Sequence, residues 1–554
     1  MTENQYEAPE RQPVPRSGTS RWIAVFAVLV LLVGGTVWWT IAHADPDPDI
    51  VDATRCDGLD ATTGEGFALH RDDQGQCLGW TVDRDHAFGT KDERVQRVVK
   101  AVVDENRAVA GGKSPYVRVA VMMPMAARPG GKLDDDSILH ALEGALTAQE
   151  VANSDPEYGD VGLKVQLVLA NTGWDQKAWK DVVEQLGGLT SGEHRLVAVT
   201  GLGVSVPQTR AASVELNTRW GLPSVGAVLT ADDMTTRGAE PANTRPALFK
   251  VSPSNHDYAM ALADSLRAEH PEVTCGFLVA DRNDDNYVES LGKAFVHVFP
   301  EFDLDKHRAS FTGSTTDTNQ ASNLFQPAVN AINALPEGKP AVVFYAGRDA
   351  DLPSFVRSLA TRARSAEPVV LATGMTGLTV IASGTKGKGD EALTTADLAD
   401  AKVTIMAASS TDVVGWRQNL NVPERFASFR ATFTGTLGFP DGDLDDGYAV
   451  MHHDAVVAAV KAARSIYSNG DGKRLPTPQD VRNGLYSLAQ DKVDGASGSF
   501  HWEDTTSDND LWPTGKPVPV VSYPRTPQPR APYLTVCRKL KAPASLANYE
   551  VVDC

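Results

Sequence analysis

Val117-Arg-Val-Ala-Val-Met-Met123, an apolar run rich in β-branched residues just after Pro115, opens the stretch that decides the fold. A short run of this kind suits a strand buried on both faces. Asp136–Ala152 follows it, with Ile138, Leu142, Ala145 and Leu146 at the spacing that gathers them on one helix face. The step then repeats. Leu163-Lys-Val-Gln-Leu-Val-Leu-Ala170 reads as a second strand with a helix over about 175–186, and Leu196-Val-Ala-Val-Thr200 as a third with a helix over about 206–219. Pro223-Ser-Val-Gly-Ala-Val-Leu229 is the fourth. Strands alternating with helices predict a parallel sheet with crossover helices on its faces, so residues 116–247 are expected to form one doubly wound α/β lobe.

A second series starts beyond Arg237–Arg245. Thr274–Ala280 leads into a helix around Tyr287–Val298, and Ala341-Val-Val-Phe-Tyr345 leads into Leu352–Arg362. Pro368-Val-Val-Leu-Ala-Thr373 precedes a Gly/Lys/Asp-rich segment to Asp390, and Val403-Thr-Ile-Met-Ala407 closes the series. Residues 248–407 thus read as a second lobe. Two Rossmann-like lobes in succession imply a cleft between them, lined by the loops at the C-terminal ends of the strands. Residues 408–525 hold too few strands for a third sheet, chiefly Gly498-Ser-Phe-His-Trp502 and Val518-Pro-Val-Val-Ser522, and are expected to return across a hinge and complete both lobes.

Upstream, residues 45–115 read as a separate Cys-containing spacer or accessory element: a Pro/Asp linker, a loop between Cys56 and Cys77, then a helix-like Glu93–Ala110. Before that, Trp22–Ile41 is apolar throughout and would cover about 30 Å as a helix, one hydrocarbon core. Arg11, Arg16 and Arg21 precede it and Asp45, Asp47, Asp49 and Asp52 follow, which orients residues 1–21 as a cytoplasmic tail, 22–43 as a transmembrane anchor and 45–554 outside. Ala42-His43-Ala44 also has the small-x-small form of a cleavage site, so secretion after removal of a signal is the alternative. Cysteine usage fits export: Cys56 with Cys77, and Cys537 with Cys554 in the 526–554 tail, are the simplest local pairs, although four cysteines allow three connectivities. Cys275 reads as a small apolar residue of a buried strand.

The 554 residues carry 52 Lys+Arg against 71 Asp+Glu, a formal charge of −19. Glu3, Glu7 and Glu10 cancel the three N-terminal arginines, so all of that excess acid lies in the exported part. An acidic chain without a basic run argues against a nucleic-acid partner.

The order of elements, with several local phrases, resembles the type I periplasmic binding proteins, in particular the branched-chain amino acid substrate-binding proteins of ABC transporters. The phrases are Leu248-Phe-Lys-Val-Ser-Pro-Ser254, Asp284-Asp-Asn-Tyr287, Val343-Phe-Tyr-Ala-Gly347, Tyr448…His453-Asp454-Ala455 and Gly495-Ala-Ser-Gly498. The resemblance implies a non-enzymatic protein that closes two lobes on a small polar ligand, amino acid-like or a carboxylate, without a cofactor, and that works with an ABC permease or a signalling protein. A membrane-anchored sensory or interaction module of the same fold is the alternative. Family positions map onto Gly203 and Ser205 in the loop after the third strand, Ala227 and Thr230 after the fourth, and Tyr287 and Tyr345 as cleft aromatics. Met375 and Thr376 stand where amino-acid-binding members often place an acid, a departure that weakens the case for an amino-acid ligand, since a buried ammonium needs a partner.

Rival readings attach to the same residues. Ser205-Val-Pro-Gln208 also reads as a capping box, and Thr230 as an N-cap with Asp233 three residues on. Gly203-Val-Ser205-Val-Pro207 imitates a hydrolase nucleophile elbow but has Pro207 in place of the second glycine. Gly201-Leu-Gly203 begins a dinucleotide pattern that Val206 breaks. His452-His453-Asp454 reads as surface or hinge packing, because helical neighbours diverge by about 100° and cannot share one metal ion. Asp441-Gly-Asp-Leu-Asp-Asp-Gly447 lacks the glycine and glutamate of a calcium loop and reads as a solvated acidic turn. No metal site is expected.

Overall fold

The computed structural model describes residues 62–64, 66–85, 88–234, 244–314, 323–335, 341–363, 367–386, 393–469, 474–488, 491–502, 511–525 and 534–535, with Cys56 besides. The anchor or signal at 22–43 and the Cys537–Cys554 pair lie outside them. Among the described residues no helix is long and apolar enough to cross a membrane.

The strands, in chain order, are β1 Thr62–Gly64, β2 Phe67–Arg71, β3 Cys77–Thr81, β4 Tyr116–Met123, β5 Lys164–Asn171, β6 Leu196–Gly201, β7 Ser224–Gly226 and β8 Leu248–Lys250. They form one sheet in the order β1-β2-β3-β5-β4-β6-β7-β8. A second sheet runs β10-β9-β11-β12-β13-β17, from β9 Cys275–Asp281, β10 Arg308–Phe311, β11 Ala341–Ala346, β12 Val369–Thr373, β13 Val403–Ala408 and β17 Val520–Tyr523. Between them in sequence, β14 Val493–Gly495 and β15 Gly498–Phe500 make a hairpin, and β16 is Pro517–Val518. Both parallel series have the same order: the second strand, the first, then the third, fourth and fifth. The order therefore reverses between β4 and β6 in one lobe and between β9 and β11 in the other, and such switch points open crevices for ligands.

The valine-rich strands are buried along nearly their whole length, as crossover helices on both faces require. Local chemistry sets the helix starts. The Asp134 carboxylate accepts from Ser137 N at the head of the Asp135–Ser154 helix, and Ser254 with Asp257 forms a capping box at the head of Asn255–Glu269. Asp285 accepts from Tyr287 N at the start of Asn286–Val298.

Residues 62–115 are not a separate element. β3 pairs antiparallel with β5 and extends the first sheet, burying Ala68 and Trp80 in the lobe I core. Asn106, on the Glu93–Gly111 helix, donates to Val82 O and Leu167 O and accepts from Leu167 N, tying that helix to the same sheet. The reason is the open edge of β5, whose backbone groups need partners. Cys56 and Cys77 are joined by a disulfide, with Cα atoms 5.5 Å apart. The lobe boundary at 248 also moves, because β8 pairs in parallel with β7 and the chain leaves lobe I only beyond Lys250.

Three crossings join the lobes. Ser252 Oγ donates to Ala227 O and accepts from Ser410 Oγ (3.1 Å), and Tyr258 OH lies 2.6 Å from Ser410 Oγ. Ser409 N bonds Pro519 O, where the last crossing leads into β17. Between the second and third crossings the chain returns to lobe I, where the long Tyr448–Asn469 helix packs along Asp135–Ser154. β17 instead closes the β13 edge of lobe II.

Two acidic motifs are more buried than their sequence suggests. His452, His453 and Asp454 are almost completely enclosed, and Asp454 accepts from Ala496 N, Ser497 N and His453 Nδ1, so they pack inside lobe I and not on the surface. In the Asp441–Gly447 turn, Asp443 and Asp446 are buried, because His140 of the neighbouring helix lies against Asp446.

Candidate functional site

The loops after the switch-point strands face one another across the lobes. Lys132 follows β4, Ser205 follows β6 and Thr230 follows β7. From lobe II, Tyr287 follows β9, Arg348 and Asp349 follow β11, and Met375 and Thr376 follow β12. With Val204, Val228, Thr379 and Tyr448 they enclose a cavity of about 20 Å³. That is room for roughly one water molecule, so the lobes stand closed on each other.

Charge organises the interior. Asp285 accepts two bonds from the Arg348 guanidinium, Nη2 to Oδ1 at 2.8 Å and Nε to Oδ2 at 3.0 Å, while Lys132 Nζ reaches Oδ2 from the opposite lobe at 3.4 Å. Burial opposes ionisation of Asp285, but Arg348 and then Lys132 hold its carboxyl below the usual carboxylate range. Burial, followed by repulsion from Arg348, draws the Lys132 ammonium below its ordinary value. The guanidinium also lies 4.8 Å from the centre of the Tyr287 ring and donates to Ser205 O. Asp349 is half-buried, and loss of hydration, with the Asp134 charge adding to it, pushes its carboxyl up to about 6.

Hydroxyl groups line the rest. Ser205 Oγ accepts from Thr230 N (3.0 Å) and Ala231 N (3.2 Å), which fixes one lobe I loop against the next. With both lone pairs so engaged, its proton is the bonding capacity left. Tyr287 OH is 3.2 Å from Thr376 Oγ1, and Tyr287 N donates to Ser205 O across the cleft. Further latches hold the rim: Ser290 Oγ donates to Asp232 Oδ2 (2.7 Å), and Asn286 Nδ2 to Asp233 Oδ2 (2.8 Å).

Of the residues expected from sequence, Ser205, Thr230, Tyr287, Met375 and Thr376 all line the cavity. Three do not. Tyr345 is fully buried in the lobe II core, stacked on Phe311 and Phe355, and its hydroxyl donates to Arg348 O, so it supports the arginine loop from behind. Ala227 N donates to Gly201 O, and its own carbonyl accepts from Ser252. Gly203 shapes the loop: at φ +66, its Cβ would lie 2.5 Å from Gln176 Oε1, the atom that accepts from Val204 N. Both capping alternatives fail. The helix Pro207–Trp220 starts from Val206 without a side-chain cap, which frees the Ser205 hydroxyl to bridge to the Thr230 loop, and residues 231–234 form a turn and no helix.

Lys132, Arg348 and Asp349 escape the sequence reading, because single charged residues in loops carry no periodicity, and Tyr448, quoted from sequence only as part of the return helix, reaches the cleft because that helix begins there. The position of Arg348-Asp349 directly after a strand end is the one signal that points to them. A wider recess of about 320 Å³, by Asn421, Lys492, His501 and Pro517, is walled by partly or fully exposed groups away from these loops.

No protein-family model matches the chain, and no curated protein matches it. Solved structures do. An ABC-transporter solute-binding protein from R. palustris, in complex with 4-hydroxybenzoate, superposes with a TM-score of 0.51 at 15% identity over 76% of this chain and 96% of that one. The fold is that of the type I periplasmic binding proteins. A solute-binding protein from Rhodopseudomonas palustris HaA2 with p-hydroxybenzoic acid gives 0.50 at 13% identity, over 73% and 92% of the two chains. A substrate-binding protein from Desulfitobacterium hafniense in complex with Leu gives 0.49 at 19% identity, over 76% and 100%. Identities this low speak for the periplasmic-binding-protein fold and leave the ligand to the cleft itself.

Proposed function

We propose that the chain is an extracytoplasmic solute-binding protein whose two lobes part and close on a small carboxylate with a compact apolar body. Segment 22–43 serves as its anchor or export signal, and an ABC-type permease as its partner. The observation that carries this reading is the meeting of Lys132 and Arg348, from opposite lobes, over one cleft ringed by the hydroxyls of Ser205, Thr230 and Thr376. A ligand carboxylate admitted on opening takes charge-assisted bonds from the two cations, and Val204, Val228 and Met375 supply an apolar wall. The hydroxybenzoates bound by two of the similar proteins have this chemistry. Asp349 is the acid among these cleft-lining residues, and Asp285 behind them is already held by both cations, which favours an anionic ligand over an ammonium.

One observation favours a second reading, a sensory or interaction module that needs no solute: in the closed state the cleft keeps only about 20 Å³, and Arg348 bonds across it to Ser205 O. Thermal shift with 4-hydroxybenzoate, leucine, short aliphatic carboxylates and sugars separates the two. A carboxylate at 100 times its Kd should stabilise the protein by about 2.7 kcal/mol, and the shift should vanish in Lys132→Ala with Arg348→Met. A panel without any shift would favour the interaction module.

The Asp349 carboxyl gives the binding a pH dependence. Because its folded pKa, about 6, is raised above the unfolded value, the folded protein binds a proton between roughly pH 4 and 6 that the unfolded chain does not, and this contribution to stability is lost as pH rises through that window. The same proton favours an anion beside Asp349, where Asp134, Arg348 and Tyr448 also face the carboxyl. Affinity for a carboxylate, measured by calorimetry, is expected to fall about fivefold from pH 5 to pH 7 for a coupling of one pK unit on a carboxyl at about 6. Asp349→Asn should flatten the profile, and an unchanged profile in that variant would remove Asp349 from the account.

A further inference from the structure

Just before Tyr448, the returning chain brings acids against the first crossover helix of lobe I. His140 and Glu143 stand three residues apart on Asp135–Ser154, a spacing that puts both on one helix face. Asp443 comes from the short turn Asp441–Leu444. One nitrogen or oxygen from each of the three lies within 4.8 Å of the others, and the residues are 1%, 2% and 8% exposed. His140 Nδ1 is 2.5 Å from Asp446 Oδ2, and Nε2 is 3.5 Å from Asp443 Oδ1. Asp446 is itself oriented, since its Oδ1 accepts from Tyr448 N at 2.9 Å.

We propose that His140, Glu143 and Asp443 bind one divalent first-row transition cation, Zn²⁺ being the first candidate, with Asp446 as the carboxylate behind the histidine. The geometry matches the way metal-bound histidines are held: one ring nitrogen is fixed by a carboxylate, and the other points at the ion. Carboxylates gathered in a buried space repel one another, and a shared dication offsets that repulsion. An imidazole nitrogen beside two carboxylate oxygens suits Zn²⁺ better than Ca²⁺ or Mg²⁺, which prefer oxygen alone. Three protein ligands leave a fourth position for water. The Asp441–Gly447 run taken alone fails as a calcium loop, and it becomes a candidate site only when the fold adds His140 and Glu143. An ion here ties the return segment to lobe I and steadies Tyr448, a wall of the cleft.

Full-length protein, stripped of metal by dialysis against chelator and then freed of it, is titrated with ZnCl2 by calorimetry, and its metal content is measured by mass spectrometry after gel filtration. The expected result is one Zn²⁺ per chain, retained through the column, with Ca²⁺ unable to displace it. Glu143→Gln and Asp443→Asn keep side-chain volume and are expected to abolish retention, while Asp446→Asn weakens affinity by about 10–100-fold. Circular dichroism reports whether each variant is folded, and Asp446→Asn, which leaves all three proposed ligands in place and alters only the carboxylate behind His140, supports the site even if a ligand variant fails to fold. A wild-type chain that retains no Zn²⁺ would overturn the proposal, as would Zn²⁺ binding undiminished in folded Glu143→Gln and Asp443→Asn.

Discussion

Asp285→Ala is expected to destabilise the protein by about 3–5 kcal/mol, the range for removing one partner of a buried ion pair. The carboxylate is enclosed, holds Arg348 by two bonds and meets Lys132 from the other lobe. Alanine leaves two cations facing each other in a space that admits roughly one water, and it also removes the acceptor for Tyr287 N at the helix start. Asp285→Asn keeps that acceptor and the volume and should cost less. Urea unfolding measures both, and small-angle scattering should show the alanine variant more open, because the Lys132 bridge between lobes is gone. A loss below about 1 kcal/mol would mean that the cations are better hydrated than the geometry implies.

The second large effect concerns the join between the outgoing and returning parts of lobe I. Gly144 sits where the Asp135–Ser154 helix meets the head of Tyr448–Asn469, and a Cβ placed there would lie 1.9 Å from Ala449 O and 2.6 Å from Ala449 C. The obstacle is backbone, which cannot rotate aside as a side chain can. Gly144→Val therefore forces the two helices apart and is expected to cost about 3 kcal/mol or more, above the usual range for overpacking. Gly144→Ala should cost less but remain clearly measurable. Because Tyr448 stands next to the clash, the variant should also lose ligand affinity at temperatures where it remains folded. Wild-type stability in the valine variant would show that the helix contact is looser than described.

The strands that were legible in the sequence are the ones buried on both faces. Val117–Met123, Leu163–Ala170, Ala341–Tyr345 and Val403–Ala407 match β4, β5, β11 and β13 to within a residue or so, because apolar runs of that length have few other uses in an α/β chain. Peripheral strands were not legible. Arg308–Phe311 alternates exposed and covered residues over four positions, and Thr62–Thr81 reads as loop until the edge of β5 gives it a partner. The candidate site divides in the same way. Ser205, Thr230 and Tyr287 follow from their places after strands, whereas Lys132 and Arg348 gain meaning only when two distant loops are brought to one carboxylate. Tyr345 shows the converse error: its position at a strand end is right, but the side chain points into the sheet's own core, where Phe311 and Phe355 sandwich it.

The treatment of the sheet margins has a colloidal consequence. A protein held at a membrane surface, or secreted in quantity, meets copies of itself, and an unpaired strand is a template for adding another. Lobe I ends at β8, where Lys250 N is taken by Leu511 O and Lys250 O by the Trp502 indole. Lobe II has β17 laid antiparallel along β13, and at its other margin the short β10 presents Arg308 and Ser310 to solvent. The late segments that cross back between the lobes thus also act as selvedges, sealing the weave against fraying into its neighbours.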